Sequence, residues 1–211
     1  GDAAAPAPAA PLPGRLLVLG ASTGGPAALE AILSELPADF PMPVLVAQHM
    51  PAAFTGAFAA RLDRLCPMPV AEVARQTPLL PGHAYVARGD ADMVVGRRPG
   101  GLVALPVPAS PAHPWHPSVD RLAQSAAQAV GPANVLGVLA TGMGRDGADA
   151  LAAIRAGGGW TLAEAEETAV VWGMPGELAR LGGATEVLPL FEIAAAVTRE
   201  ARRHAAGQTD A

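Results

Sequence analysis

The chain has little with which to cross-link, stack or hold a polyanion. One cysteine, Cys66, stands among 211 residues, so no disulfide can form within the chain. That suits a reducing compartment, and a cytoplasmic location is expected. In "RLDRLCPMPV", Cys66 reads as a small apolar residue where a helix gives way to a loop. Aromatic residues make up 4% of the chain, too few for a stacking platform for single-stranded nucleic acid. The formal net charge is −5 and no lysine- or arginine-rich block offsets it; Arg199, Arg202 and Arg203 read as the basic last turn of a helix. Nucleic acid is not an expected partner. No apolar run reaches the length of a membrane span, so no insertion into a membrane is expected. No basic segment followed by an apolar core marks a secretory signal.

What is present is a hydrophobic share of 51%, enough for one sizeable core. Residues 1–14, "GDAAAPAPAAPLPG", are Ala/Pro-rich without an apolar period and read as a linker or tail; residues 205–211 read as a second tail. Between them, "RLLVLG" predicts a strand, Pro26–Leu36 a helix, "MPVLVAQ" a strand and Phe54–Leu65 a helix. Ser118–Val130 predicts a helix capped by Ser118, "NVLGVLATG" a strand, and Asp146–Ala156 a helix. Short continuous apolar strands separated by helices predict a parallel sheet buried on both faces. The stretch "GHAYVARGDADMVVGRRPGGLVALPV" has extended runs split by turn signals, which predicts an antiparallel excursion. The expected fold is α/β, a doubly wound, mostly parallel sheet with helices on both faces and a small antiparallel β insertion at about residues 83–107.

"LLVLGASTGGPAAL" places Ser22 in a glycine-rich turn between a strand and a helix. Such a turn can cradle a phosphate at the helix N-terminus. The dinucleotide fingerprint fails, because the glycines fall at Gly20, Gly24 and Gly25 and the second strand ends in Gln48 and His49. No Lys-Ser or Lys-Thr pair follows, so the P-loop fails too. The alternative is a nucleophile. A serine hydroxyl needs a base, and histidine is the usual one near neutral pH. In an open parallel sheet, residues beyond the carboxyl ends of neighbouring strands share one crevice. Ser22 follows the first strand, His49 the second, and Asp146 in "LATGMGRDGADAL" follows a third. A Ser-His-Asp triad needs those three types in contact. The order is not that of the α/β-hydrolases, and G-x-S-x-G is absent. By spacing alone, a triad and three unrelated turns both remain open.

The motifs "GASTGG", "AQHMPAAFTGAFAARLDRLC", "LLPGHAYVARGD", "PSVDRL", "LATGMGRDGADAL" and "AVVWGMPGELARLGGATEVLPL", in that order over residues 15–197, resemble the catalytic domain of the chemotaxis protein-glutamate methylesterases, CheB. The resemblance implies a catalytic domain over residues 15–204 that hydrolyses glutamate γ-methyl esters on chemoreceptor helices, with deamidation of receptor glutamines as a second activity. It implies Ser22 as nucleophile, His49 as general base and then acid, and Asp146 as the orienting carboxylate. Thr23 and Met143 border the implied site, and their backbone N–H groups are the expected oxyanion donors. Glu166, Met174 and His116 are expected to touch substrate. No metal or organic cofactor is implied. The implied partners are methylated receptor helices, a chemotaxis kinase complex, and a receiver domain that family members carry and this sequence does not. Two motifs depart from the family: "HRPSVD" appears as "WHPSVD", with Trp115 and His116, and "GMPRE" as "GMPGE", with Gly176 for arginine. Both remove positive charge, which leaves open a second class of function, a docking module with little turnover.

Other features take plainer readings. His113 and His116, interleaved with prolines and lacking a third ligand, read as a rim loop and not a metal site. His83 reads as a turn-to-strand position and His204 as part of the last helix. "GDAD" at residues 89–92 reads as a hairpin turn, since it lacks calcium-loop spacing. Trp160 and Trp172 read as core. Glu164, Glu166 and Glu167 read as a solvated acidic loop.

Overall fold

The protein is described by a computed structural model over residues 14–206. The expected linker over 1–13 and the tail from 207 onward lie outside the described residues. At its centre is a parallel sheet of seven strands: β1 (Leu16–Ala21), β2 (Val44–Gln48), β3 (Val70–Val73), β5 (Ala84–Ala87), β8 (Val135–Leu139), β9 (Trp160–Glu164) and β10 (Glu186–Leu188). Their order across the sheet is β10-β9-β8-β1-β2-β5-β3. All residues of β1, β2 and β8 are buried, as their unbroken apolar runs require when helices cover both faces.

One face packs on α1 (Gly25–Glu35), α2 (Ala52–Leu65) and α6 (Leu190–Ala206) through Leu29, Leu33, Phe58, Leu62, Ile193 and Val197. The other packs on α3 (Val119–Val130), α4 (Ala148–Ala156) and α5 (Met174–Arg180). A three-stranded antiparallel sheet, β4 (Thr77–Pro78), β7 (Gly101–Pro108) and β6 (Ala91–Arg98), joins that second layer through Met93, Val95 and Ala104. The doubly wound architecture with a small antiparallel addition is the one expected. Its boundary differs: Ala84–Ala87 pairs in parallel with both β2 and β3, so the antiparallel run starts at Ala91 and recruits Thr77–Pro78 from upstream. Gly89 and Asp90 accordingly form a turn between two sheets and not a hairpin, while Asp92 is buried on β6.

Strand order locates the crevice. The chain moves from β1 to β2 on one side and reaches β8 on the other, so loops following β1 and β8 diverge and leave a gap at their carboxyl ends. Helix starts line that gap. Ser118 caps α3, its Oγ accepting the Arg121 N–H at 3.1 Å, as expected. Gly24 takes φ +79 to enter α1, and Gly147 takes φ +89 to enter α4.

Candidate active site

Ala21 pairs with Gln48, the last residues of β1 and β2, and the His49 N–H donates to Ala21 O at 3.2 Å. Ser22 and His49 therefore leave the sheet side by side. The Ser22 N–H donates to Thr141 O at 2.9 Å, which ties the same turn to the end of β8. Gln48 clamps both residues from below: its Nε2 donates to Ser22 O at 2.8 Å and to His49 O at 3.2 Å. A Cβ at Gly25 would overlap Gln48 Oε1, so only glycine fits there. Sequence reasoning assigned Gln48 no role beyond ruling out a nucleotide site. Its signal was a polar residue closing an apolar strand.

His49 Nε2 lies 2.6 Å from Asp146 Oδ2, with the two side chains 9% and 3% exposed. With the proton on Nε2, the imidazole donates to the carboxylate and leaves Nδ1 as a lone pair. That Nδ1 is buried and, among the described residues, has no hydrogen-bond partner. Asp146 also holds the start of α3: it accepts the Val119 N–H at 2.8 Å, the Asp120 N–H at 2.9 Å and the Ser118 hydroxyl at 3.4 Å. A negative charge facing a helix N-terminus is stabilised there, and the helix with it. The cap is reciprocated. Asp120, in the first turn of α3, accepts the Ala150 N–H of α4 at 3.0 Å. Burial pushes the Asp120 carboxyl above the usual range; the Ala150 bond opposes this and the nearby Asp146 charge adds to it.

The mouth of the site is built on Thr141 and Gly142. The Thr141 N–H donates to Glu164 Oε2 at 2.7 Å, and its hydroxyl donates to Thr23 O at 2.9 Å. Glu164 corrects the expectation of a solvated acidic loop. It is fully buried at the end of β9, also accepts the Thr168 hydroxyl, and burial raises its pKa against those two hydrogen bonds. Glu166 and Glu167 are exposed in the turn that follows. Gly142 has no room for a side chain, since a Cβ would lie 2.9 Å from Ser22 Cβ and collide with Met174 Sδ. Met174 is fully buried beneath Gly142 and supports the turn. Thr23 and Met143 are exposed at the mouth, and among the described residues neither backbone N–H has an acceptor.

The rim comes from the loop before α3. Asp92 accepts the Ser118 N–H at 2.8 Å, the Ser110 N–H at 3.2 Å, Arg121 Nη1 at 2.8 Å and His116 Nδ1 at 2.8 Å. Burial would raise its pKa, but the bonds from His116, Arg121, Ser118 and Ser110 prevail and hold it below the usual carboxylate range. His116 is thus engaged with Asp92 and half-buried. Beside it, Trp115 lies over the His49 ring, centroids 6.2 Å apart and planes within 9°. Asp92 carried a legible signal, a carboxylate in an apolar strand that must find donors when buried. Trp115 carried none.

Trp172 is half-buried and not core: its Nε1 donates to Glu164 O at 2.7 Å and its ring covers Gly176. With Gly144, Gly173, Gly176, Glu177 and Arg180 it lines an open groove of about 720 Å³ next to the Gly142 turn. Among the described residues, no group of three or more His, Cys, Asp or Glu side chains could hold a metal ion. No helix among them is long and apolar enough to cross a membrane. Of the expected site residues, His49 and Asp146 are in contact, Ser22 leaves the sheet beside His49, Thr23 and Met143 are exposed next to them, and His116 stands at the rim; among the described residues no hydrogen bond joins the Ser22 hydroxyl to His49, or Glu166 to any of them.

A family model described as CheB methylesterase matches residues 17–197. A protein-glutamate methylesterase/protein-glutamine glutaminase of Rhodopseudomonas palustris (strain BisB18) is 61% identical over 191 residues, covering 90% of this chain and 52% of the relative. One from Pseudomonas aeruginosa is 47% identical over 208 residues, covering 96% and 59%. The chain spans about half the length of the curated relatives it matches. The crystal structure of the Thermotoga maritima CheB methylesterase catalytic domain superposes with a TM-score of 0.84 at 34% identity, covering 88% of this chain and 98% of that one.

Proposed function

We propose, from the fact that the chain belongs to the CheB methylesterase family, that it is a serine esterase acting on glutamate γ-methyl esters of chemoreceptor helices. Ser22 is the nucleophile, His49 the base and Asp146 the orienting carboxylate. The observation that carries this reading is the short His49–Asp146 contact, with Nδ1 buried and, among the described residues, without a hydrogen-bond partner, on a residue that leaves the sheet next to Ser22. The reading uses the imidazole with its nitrogens exchanged relative to the familiar protease triad, Nε2 on the carboxylate and Nδ1 left to take the serine proton.

In the reaction, Nδ1 takes the Ser22 proton as Oγ attacks the ester carbonyl. The Thr23 and Met143 N–H groups, which have no acceptors of their own, receive the oxyanion; each such donor is worth about 10²–10³ in rate. The imidazolium, its Nε2–H held by Asp146, gives its proton to the departing methoxide, and methanol leaves. Water then attacks the acyl-enzyme by the same proton transfers and frees the glutamate carboxylate and Ser22. A receptor glutamine follows the same path with ammonia as leaving group, which is the second activity in the relatives' names. The partners on this reading are cytoplasmic receptor helices, with the chemotaxis kinase complex and a receiver domain as regulators.

Ser22→Ala tests it. Methanol release from methylated receptor should fall by about 10⁶ while circular dichroism stays that of wild type, and a fluorophosphonate probe should label wild type alone. Methanol release near the wild-type rate would refute the assignment. A folded wild-type protein that neither labels nor turns over would instead be a docking module.

A further inference from the structure

Trp115 is exposed over 36% of its surface, yet it is not loose. Its ring sits on Gly144, where a Cβ would come within 2.8 Å of Cζ2, and Gly144 itself takes φ +88. Asp92 pins both ends of its loop through the Ser110 and Ser118 N–H groups, and holds the neighbouring His116 ring. The side of the indole turned from solvent lies nearly parallel to His49, within the offset-stacking range of aromatic pairs. An indole face attracts a cation, and the cation that forms at this place during turnover is the His49 imidazolium.

We propose that Trp115 is a positioning residue for His49, holding the imidazole ring in plane with Asp146 and stabilising its protonated form through the indole face. The inference rests on the esterase reading above and deepens it. Two anchors then fix one ring: Asp146 holds Nε2 at the edge, and Trp115 holds the plane. The charged groups around His49 are Asp146 from the β8–α4 turn and, behind it, Asp120 in α3; the Asp92–His116–Arg121 cluster lies at the base of the rim loop. Substituting Trp115 leaves each of them in place.

The test is the rate at which a fluorophosphonate labels Ser22 from about pH 5 to pH 9, in wild type, Trp115→Phe, Trp115→Leu and Ser22→Ala. Trp115→Leu is expected to lower the plateau rate about tenfold and to move the acid limb to lower pH, because the protonated imidazole loses its support. Trp115→Phe, which keeps a π face, should stay within about threefold of wild type. Circular dichroism of each variant shows that the fold is kept. Were the indole only a cover, its removal would admit water and move the acid limb to higher pH. That shift, a Trp115→Leu plateau within twofold of wild type, or equal losses in the Phe and Leu variants would each overturn the proposal. Labelling of wild type and Ser22→Ala alike would instead overturn the esterase reading, and this one with it.

Discussion

Replacing Asp146 by asparagine separates two jobs that one carboxylate performs. The two oxygens accept from four groups: Oδ2 from His49 Nε2 and the Val119 N–H, Oδ1 from the Asp120 N–H and the Ser118 hydroxyl. An amide keeps one oxygen and turns the other into a donor, so whichever way it sits, two donors lose their acceptor and one of them is a first-turn N–H of α3. An unsatisfied backbone N–H costs about 1–3 kcal/mol, and the lost charge at the helix N-terminus about 0.3–1 kcal/mol more. The sum is about 1–4 kcal/mol, a fall in Tm of roughly 3–16 °C for a domain of this size. The chemistry suffers more. With its N–H turned to His49, the amide forces the imidazole proton onto Nδ1 and the base disappears; with its oxygen there, the carboxylate charge that steadies the imidazolium is still lost, and the equivalent change in a serine protease costs about 10⁴ in kcat. Thermal melting and methanol release on the same sample read both effects, with Ser22→Ala as the control that loses activity at unchanged Tm. An Asp146→Asn protein that melts with wild type would refute the claim that this carboxylate secures α3. One that loses stability but keeps its turnover would refute the triad.

Two further expectations concern the surroundings. Gly176→Arg restores the charge usual in the family, but a Cβ there lies 2.9 Å from the Trp172 ring; the indole must move, with a shift in tryptophan emission and a loss of about 1–3 kcal/mol on melting, and receptor demethylation should fall. Unchanged emission would contradict the expected displacement of the ring. Asp120 has a folded-state pKa above its unfolded value, so its protonated form favours the fold and its stability contribution drops as pH rises from the ordinary aspartate range through the raised value. Asp120→Asn keeps the acceptor for the Ala150 N–H and lacks this dependence, so urea denaturation should show the variant gaining on wild type as pH rises through that window. Parallel stability curves would contradict the assignment.

The sequence carried the backbone of this account because its strong signals were local. Unbroken apolar runs at β1, β2 and β8, a serine cap at Ser118 and glycine at the turns each report on their own neighbourhood. The run at Ala84–Ala87 did not, since four buried residues look alike in a parallel or an antiparallel ladder and only the register with β2 and β3 decides. Glu164 was misread for a related cause: flanked by Glu166 and Glu167 it looks solvated, and its burial follows from a Thr141 N–H that arrives from another strand. The burial of Met174 was not legible, because the Gly142 notch that receives its sulfur exists only once α5 is docked. Trp115 was invisible for the most physical reason, that stacking on His49 joins two loops with no shared periodicity.

The order of strands has a temporal consequence. β1 is flanked by β2, made soon after it, and by β8, made more than a hundred residues later, and the turn beyond β8 brings Asp146. A chain emerging from the ribosome thus displays Ser22 and His49 long before Asp146 can hold the imidazole, and the Val119 and Asp120 N–H groups of α3 wait for that same carboxylate. On the esterase reading, hydrolytic competence and the full seating of that helix arrive together and late, so a protein cut short before that loop is expected to be silent.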